Sequence, residues 1–153
     1  LGHHTIVKHA AGLRGGTTVE EHNRWVINQC RSVGPTKHTL WWILGDVAME
    51  IECLDLLQEL PGQKWLVLGN HDQFNIDVYA KHFQRIFGGS KRYGFWITHM
   101  PLHPTELRGL NNVHGHCHRN SLADDPRYFN AAIEWLPSQR PVSLDFLRKH
   151  WNL

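Results

Sequence analysis

The sequence predicts an α/β fold, in which helices pack against a β-sheet. Two short apolar runs, residues 40–44 and 65–68, have the length and composition of buried strands. Segments with helical signals lie between the apolar runs, and this alternation is typical of α/β proteins. The chain has 153 residues, of which 41% are hydrophobic and 20% are charged, and this suits one globular domain over residues 1–153.

Local signals place the remaining elements along the chain. Thr17 or Thr18, with Glu20 and Glu21 three residues further on, predicts the start of a helix that Gly34-Pro35 ends. Further helices are predicted at residues 49–60 and 76–87 and after a capping Ser143. Further strands are predicted at residues 92–98, 111–114 and 128–135, the last from its alternating pattern.

Charge and cysteine content narrow the range of partners and compartments. The formal net charge is only +2, so stable binding to nucleic acid or to an acidic membrane surface is not expected. No apolar run is long enough to cross a bilayer. The 3 cysteines are odd in number and scattered, which argues against a disulfide framework and favours a reducing, cytoplasmic compartment.

Metal-competent side chains follow four of the predicted strands. They are Asp46 after the first, Asn70-His71-Asp72 after the second, His99 after the third, and His114, His116 and His118 after the fourth. The carboxyl ends of strands in one sheet meet at one edge, so we expect these groups to converge. Carboxylate, amide oxygen and imidazole without thiolate suit Mn²⁺, Fe, Zn²⁺ or Ni²⁺.

Two features of this set suggest a pair of ions. Asp46 has two carboxylate oxygens and could bridge two cations. His116 and His118 lie two apart, and in an extended chain they would point to the same side and serve neighbouring ions, with Cys117 turned away. The pattern therefore predicts a two-metal hydrolytic centre. Any one of these motifs alone is more typical of an ordinary turn.

The ordered set of Gly45-Asp46, Gly69-Asn70-His71-Asp72, Thr98-His99 and Gly115-His116-Cys117-His118 resembles the calcineurin-like metallophosphoesterase superfamily. It is most similar to small bacterial and phage members without a cap domain, in which one motif is T-H-x-P and the first motif is D-x-H-x-G-H. The resemblance implies an αββα sandwich, that is, two packed mixed β-sheets flanked by helices.

The resemblance also implies a site and a reaction. It assigns metal ligation to five side chains, namely Asp46 as the bridge, Asn70, His99 and His116 on one ion, and His118 on the other. It makes His71 the catalytic histidine, near either the leaving-group oxygen or the charge of the transition state. The cofactors would be two divalent ions, with Mn²⁺ first and Fe, Zn²⁺ or Ni²⁺ as alternatives. In the reaction, a metal-bound hydroxide would attack phosphorus in a small phosphate ester or nucleotide, without a covalent enzyme intermediate.

Four further side chains are candidates for binding the substrate: His3, Arg14, His103 and Arg108. Arginine binds phosphate through its planar fork of donors, and loop histidines can donate to phosphate oxygens. For His103, a solvent-exposed loop position is as common as contact with a substrate. For the two arginines, exposure to solvent is the more common situation. His3 could also lie behind the metal ligands rather than on the substrate.

The sequence departs from the family pattern in two places. Leu1-Gly2-His3 matches only the end of the first motif, so we expect the domain to be truncated at its N-terminus, without its first central strand and the Asp-x-His that follows it. That missing part would be roughly ten residues or more. Protein Ser/Thr phosphatases carry an arginine shortly after Asp46 and a glutamate in place of Asp72, and these differences favour phosphodiesters or small phosphate esters as substrates.

Two alternative functions share these motifs. A nuclease of the same superfamily would carry the same ligands, so a nucleic-acid substrate is not excluded, but the chain has no obvious basic stripe. A non-catalytic metal-binding interaction domain would keep the ligands alone. The retention of His71 argues against it, because that side chain is needed for catalysis and not for metal binding.

Overall fold

Two β-sheets flanked by helices form the fold. A computed structural model describes residues 1–9, 12, 14–118, 120, 122 and 124–153. The α-helices of these residues are α1 (His4–His9), α2 (Val19–Arg31), α3 (Ile76–Ala80) and α4 (Leu144–His150). The strands are β1 (Leu40–Ile43), β2 (Gln63–Val67), β3 (Arg85–Phe87), β4 (Ser90–Arg92), β5 (Phe95–Thr98), β6 (Asn111–His114) and β7 (Tyr128–Asn130). Short 3-10 helices cover Ile51–Glu59, Pro104–Glu106 and Pro137–Gln139.

The first sheet is parallel and the second is mixed. The first has the order β1-β2-β3, with Trp42 paired to Trp65. The second has the order β4-β5-β6-β7, in which only β4 and β5 run antiparallel. The α/β architecture with two sheets is confirmed. The first sheet, however, was expected to be mixed and is parallel.

Two hydrophobic clusters fix the layers. In the first, Trp41 of β1 and Leu66 of β2 pack with Ile27 of α2 and with Leu54 of the 3-10 helix at Ile51–Glu59. The second contains side chains from both sheets and from α4, including Val67, Ile97, Val113 and Leu147. The second cluster is therefore the core that the two sheets share. Its burial stabilises the packed layers by about 25 cal/mol per Å² of apolar surface.

The start of α2 follows the predicted capping signal. The Thr18 hydroxyl accepts a hydrogen bond from the Glu21 N–H at 3.2 Å, and the Glu21 carboxylate accepts one from the Thr18 N–H at 3.2 Å. This reciprocal pair makes Thr18 the N-cap, and such a cap stabilises a helix by about 1 kcal/mol. The Ser143 cap of α4 is likewise confirmed, with its hydroxyl accepting from the Phe146 N–H.

The predicted helix over residues 76–87 is wrong in its second half. The helix ends at Ala80, and Arg85–Phe87 forms β3 beside β2. Phe87 lies against the rings of Trp42 and Trp65, at centroid distances of 5.3 and 5.8 Å. Tertiary pairing of this aromatic segment with β2 overrides its local helical pattern.

Three other predicted elements differ from the structure. Residues 92–98 form part of a hairpin, in which Tyr93 and Gly94 take φ values of 60° and 91° in the turn between β4 and β5. The helix expected at residues 49–60 is a 3-10 helix at Ile51–Glu59. The strand expected at 128–135 ends at Asn130, because the Asn130 side chain accepts from the Ala132 N–H and turns the chain.

Among the residues with a described structure, no helix combines the length and the apolar character that a bilayer span requires.

Candidate metal centre

Four polar side chains converge where β1, β2, β5 and β6 end. The ligand atoms of Asp46, His99 and His116 all lie within 4.8 Å of one another. The His99 Nε2 atom is 3.0 Å from Asn70 Oδ1, 3.2 Å from His116 Nδ1 and 3.4 Å from Asp46 Oδ2. These four residues are called the Asp46 cluster below. One side chain from each of the four predicted strand ends thus lies in this cluster.

A backbone carbonyl fixes the orientation of His99. The imidazole is 5% exposed, and its Nδ1 lies 2.6 Å from the Leu44 carbonyl oxygen. A carbonyl oxygen only accepts, so Nδ1 donates and the neutral ring keeps the Nε2 lone pair for the cluster. Metal-binding histidines are commonly oriented by an N–H bond of this kind.

The electrostatics of the cluster favour a positive charge at its centre. Burial disfavours the charged form of His99, but the hydrogen bonds to Asp46 and to Leu44 outweigh it and raise the pKa of His99. Burial raises the pKa of Asp46, but hydrogen bonds from the His99 ring and the His71 N–H outweigh it and lower the pKa. When His99 carries a proton on Nε2, that proton faces the acceptor atoms of Asp46, Asn70 and His116. A divalent cation could replace that proton, so the donor set fits a metal.

The neighbouring His116 supplies a second neutral ring. Burial, together with the charge of His99, lowers the pKa of His116 and keeps a lone pair available. Asp46 and His116 have φ values of 52° and 63°, in the left-handed region. This conformation costs a non-glycine residue about 1 kcal/mol or more. Two ligand candidates are thus held in a strained backbone, as is common at functional sites.

Asp72 anchors the backbone beneath the cluster. Its carboxylate accepts hydrogen bonds from the N–H groups of Asp46 at 2.8 Å, Val47 at 2.9 Å and Gly69 at 2.8 Å. The bonds join the loop after β1 to the loop after β2 and stabilise the unusual conformation of Asp46. The sequence singled out Asp72 only as part of its motif, because the three donors that it binds are not visible locally.

Gly69 and Gly45 allow the two loops to approach each other. A Cβ on Gly69 would overlap the Asp46 carboxylate and lie 2.6 Å from the Asp46 nitrogen. A Cβ on Gly45 would lie 2.5 Å from both the Gly69 nitrogen and His99 Nδ1. No side chain fits at either position without moving the ligand candidates.

The change Gly69→Ala should therefore destabilise the protein and disturb the cluster. We expect an overpacking cost of about 1–3 kcal/mol and a fall in Tm of roughly 2–10 °C in thermal denaturation. Gly88→Ala is the matched control, since a Cβ at Gly88 meets nothing within 4 Å. Equal melting temperatures for the two variants would contradict the close approach of the loops.

His71 lies at the open rim of the cluster. Its backbone N–H donates to Asp46 Oδ1 at 2.9 Å, while its exposed ring forms no hydrogen bond with any residue of the described structure. The ring is close enough to interact electrostatically with Asp46 and His116. It is therefore tethered by its main chain and free at its side chain.

His118 is outside the Asp46 cluster and contacts a different group. Its Nδ1 lies 3.2 Å from Glu134 Oε1, and the same carboxylate oxygen pairs with Arg14 Nη2 at 2.7 Å. Burial raises the pKa of Glu134, but the Arg14 charge and hydrogen bonds outweigh it and lower that pKa. The expectation of an extended chain from His116 to His118 is wrong, because both residues have positive φ values, 63° and 43°.

The remaining substrate candidates differ in their surroundings. His3 Nδ1 accepts from the Ile6 N–H at 3.0 Å, so the neutral ring carries its proton on Nε2. Burial, and then positive charges that include Arg14 and His118, lower the pKa of His3. Since His3 interacts with these two side chains, it lies near the site.

The other two candidates, His103 and Arg108, make local contacts. His103 caps the 3-10 helix at Pro104–Glu106, and the exposed Arg108 pairs with Glu106 at 3.5 Å. Within the described structure, neither makes a hydrogen bond or ion pair with the Asp46 cluster.

Comparison with solved structures shows a similarity of fold. No family model and no curated protein sequence matches the chain. The chain is similar to a solved structure titled "The Crystal Structure of the Protein of Unknown Function AQ665 from Aquifex aeolicus". The two chains are 22% identical, with a TM-score of 0.74 over 96% of this chain and 92% of that one. At this identity the similarity shows a common fold.

Proposed function

We propose that this protein is a metal-dependent phosphohydrolase of the calcineurin-like metallophosphoesterase superfamily, built on that family's αββα sandwich. Its substrate would be a phosphodiester or another small phosphate ester, nucleotides included. The observation that carries the proposal is the convergence of Asp46, Asn70 and His116 on the Nε2 atom of His99, whose other nitrogen is fixed by Leu44. Four strand ends supply this donor set, and such a set suits a catalytic Mn²⁺ better than a structural, thiolate-bound zinc.

The residues divide between two divalent ions. Asn70, His99 and His116 would hold one ion together with Asp46, and His118 would help to hold a second ion that shares the Asp46 carboxylate. Bound ions of this kind supply Lewis acidity, which lowers the pKa of water and balances charge on phosphoryl oxygens. Mn²⁺ is our first choice for both ions, with Fe, Zn²⁺ or Ni²⁺ as alternatives.

His71 is the candidate proton donor. Its main chain is bonded to Asp46 at 2.9 Å, so its ring stays near the metal ligands, and its exposure leaves it free to reach a leaving-group oxygen. Protonating that oxygen as the ester bond breaks is the standard contribution of a general acid.

His3 and Arg14 are the candidates for binding phosphate oxygens. His3 presents an N–H at Nε2, because its Nδ1 accepts from the main chain. Arg14 lies near the site and donates from Nε and Nη2 to Glu134. Its Nη1 makes no hydrogen bond within the described part of the chain and could bind an anion. His103 and Arg108 make only local contacts and are assigned no contact with the substrate.

Hydrolysis of an aryl phosphodiester tests the proposal directly. The protein is stripped with a chelator and assayed with bis(p-nitrophenyl) phosphate, with and without Mn²⁺, and then with Fe²⁺, Zn²⁺ and Ni²⁺. We expect turnover that requires added metal and that chelator abolishes. Absence of metal-dependent turnover on diesters, monoesters, cyclic nucleotides and dinucleotides would contradict it, and cleavage of single-stranded oligonucleotides alone would favour the nuclease alternative.

A further inference from the structure

A buried carboxylate, Glu134, joins two parts of the candidate site. Its side chain is 5% exposed and lies shortly after β7. Its Oε1 accepts from Arg14 Nε at 2.9 Å and Nη2 at 2.7 Å, and it lies 3.2 Å from His118 Nδ1. Arg14 Nη2 and His118 Nδ1 are themselves 3.4 Å apart. One carboxylate oxygen thus brings together side chains that are 120 and 16 positions away in the sequence.

The arrangement fixes which nitrogen of His118 carries the proton. A carboxylate paired with a guanidinium through two donors is ionised and only accepts hydrogen bonds. Arg14 Nη2 can only donate, but it lies farther from His118 Nδ1, at 3.4 Å, and already donates to Glu134 at 2.7 Å. The nearer carboxylate, at 3.2 Å, therefore accepts from His118 Nδ1, and the Nε2 lone pair remains available to a cation. The same carboxylate–histidine arrangement orients metal ligands in many proteins.

The backbone of His118 is held as well. Its carbonyl oxygen accepts from the Trp135 indole N–H and from Asn130 Nδ2. Its φ of 43° is in the left-handed region, so these contacts maintain a strained conformation. The side chain and main chain of His118 are thus bonded to the end of β7 and to the segment that follows it, where Glu134 lies.

A purely structural ion pair explains these contacts poorly. Burying a carboxylate costs several kcal/mol, and a buried pair often stabilises a fold no more than apolar side chains of similar size would. Glu134 Oε2 is also buried without a hydrogen-bond partner in the described structure, which adds to that cost. A role in orienting Arg14 and His118 would explain why the charge of Glu134 is buried at this position.

We propose that Glu134 is a positioning residue of the metal centre, holding His118 with Nδ1 protonated for metal binding through Nε2 and holding Arg14 beside it for a phosphate oxygen. The inference rests on the proposed function, because it requires a divalent ion and a phosphate ester at this site. It assigns to Glu134 no direct contact with either one.

The test compares Glu134→Gln with the exposed control Glu52→Gln. In the metal-free protein, ¹⁵N NMR of the histidine rings should show His118 with Nδ1 protonated in the wild type and in the control. That preference should be weaker in Glu134→Gln, because an uncharged amide oxygen is a poorer acceptor than a carboxylate. In calorimetric Mn²⁺ titrations, the ion bound with His118 should be roughly 10–100-fold weaker in Glu134→Gln, while the ion at the Asp46 cluster keeps its affinity.

A second variant covers the possibility that Glu134→Gln fails to fold, since it leaves Arg14 without its partner. Arg14→Met combined with Glu134→Gln removes both buried charges and should fold, yet still show the weaker preference for Nδ1 protonation at His118 and the weaker Mn²⁺ binding. If either variant keeps both wild-type properties, the role of Glu134 is overturned while the proposed function stands. A wild-type protein that binds no divalent ion would overturn both.

Discussion

Asp46→Ala is expected to abolish binding of divalent metal. In the wild type, saturating Mn²⁺ at about 100 times its Kd should stabilise the fold by about 2.7 kcal/mol and raise Tm by roughly 5–10 °C. Asp46 supplies the carboxylate that pairs with His99 at 3.4 Å and the oxygen that accepts from the His71 N–H at 2.9 Å. Its loss leaves no charge in the Asp46 cluster to balance a cation, so the thermal shift should disappear.

The exposed carboxylate of Asp77 provides the control for this experiment. Asp77 lies in the first turn of α3, away from the cluster, and Asp77→Ala should lose only a few tenths of a kcal/mol of helix stability. Its Mn²⁺-induced rise in Tm should equal that of the wild type. A full thermal shift in Asp46→Ala would show that any bound ion lies elsewhere in the protein.

His71→Ala is expected to separate catalysis from metal binding. Removing a general acid should lower turnover by roughly two to four orders of magnitude. The Mn²⁺-induced rise in Tm should persist, because the hydrogen bond from His71 to Asp46 comes from the backbone N–H, which alanine keeps. The loss should be largest for esters with poor leaving groups, since these depend most on protonation.

His38→Ala is the matched control for His71→Ala. His38 is also exposed, and its ring forms no hydrogen bond with a described residue. Turnover of this variant should match the wild type. If His71→Ala retained full turnover on a substrate with a poor leaving group, the proposed role of His71 would be wrong, whether or not metal still bound.

Several features of this fold could be predicted because their signals are local. The cap at Thr18 depends on a glutamate three residues away, and the cap at Ser143 on the N–H of Phe146. The apolar runs of β1 and β2 end in glycine followed by polar residues, and this pattern placed Asp46 and Asn70 at strand ends. Interactions over a few residues leave their pattern in a short window of sequence.

The sequence by itself determined which side chains follow the strands, but only the tertiary structure decided what each one contacts. The segment Arg85–Phe87 became a strand because β2 lies beside it, and no residue within the segment signals that neighbour. The positive φ of His118 and its bond to Glu134 depend on a carboxylate that is paired with Arg14, 120 positions away from it. Such pairs form only when the sheets pack. Their energies depend on burial and geometry, which cannot be inferred from the spacing of residues in a short segment.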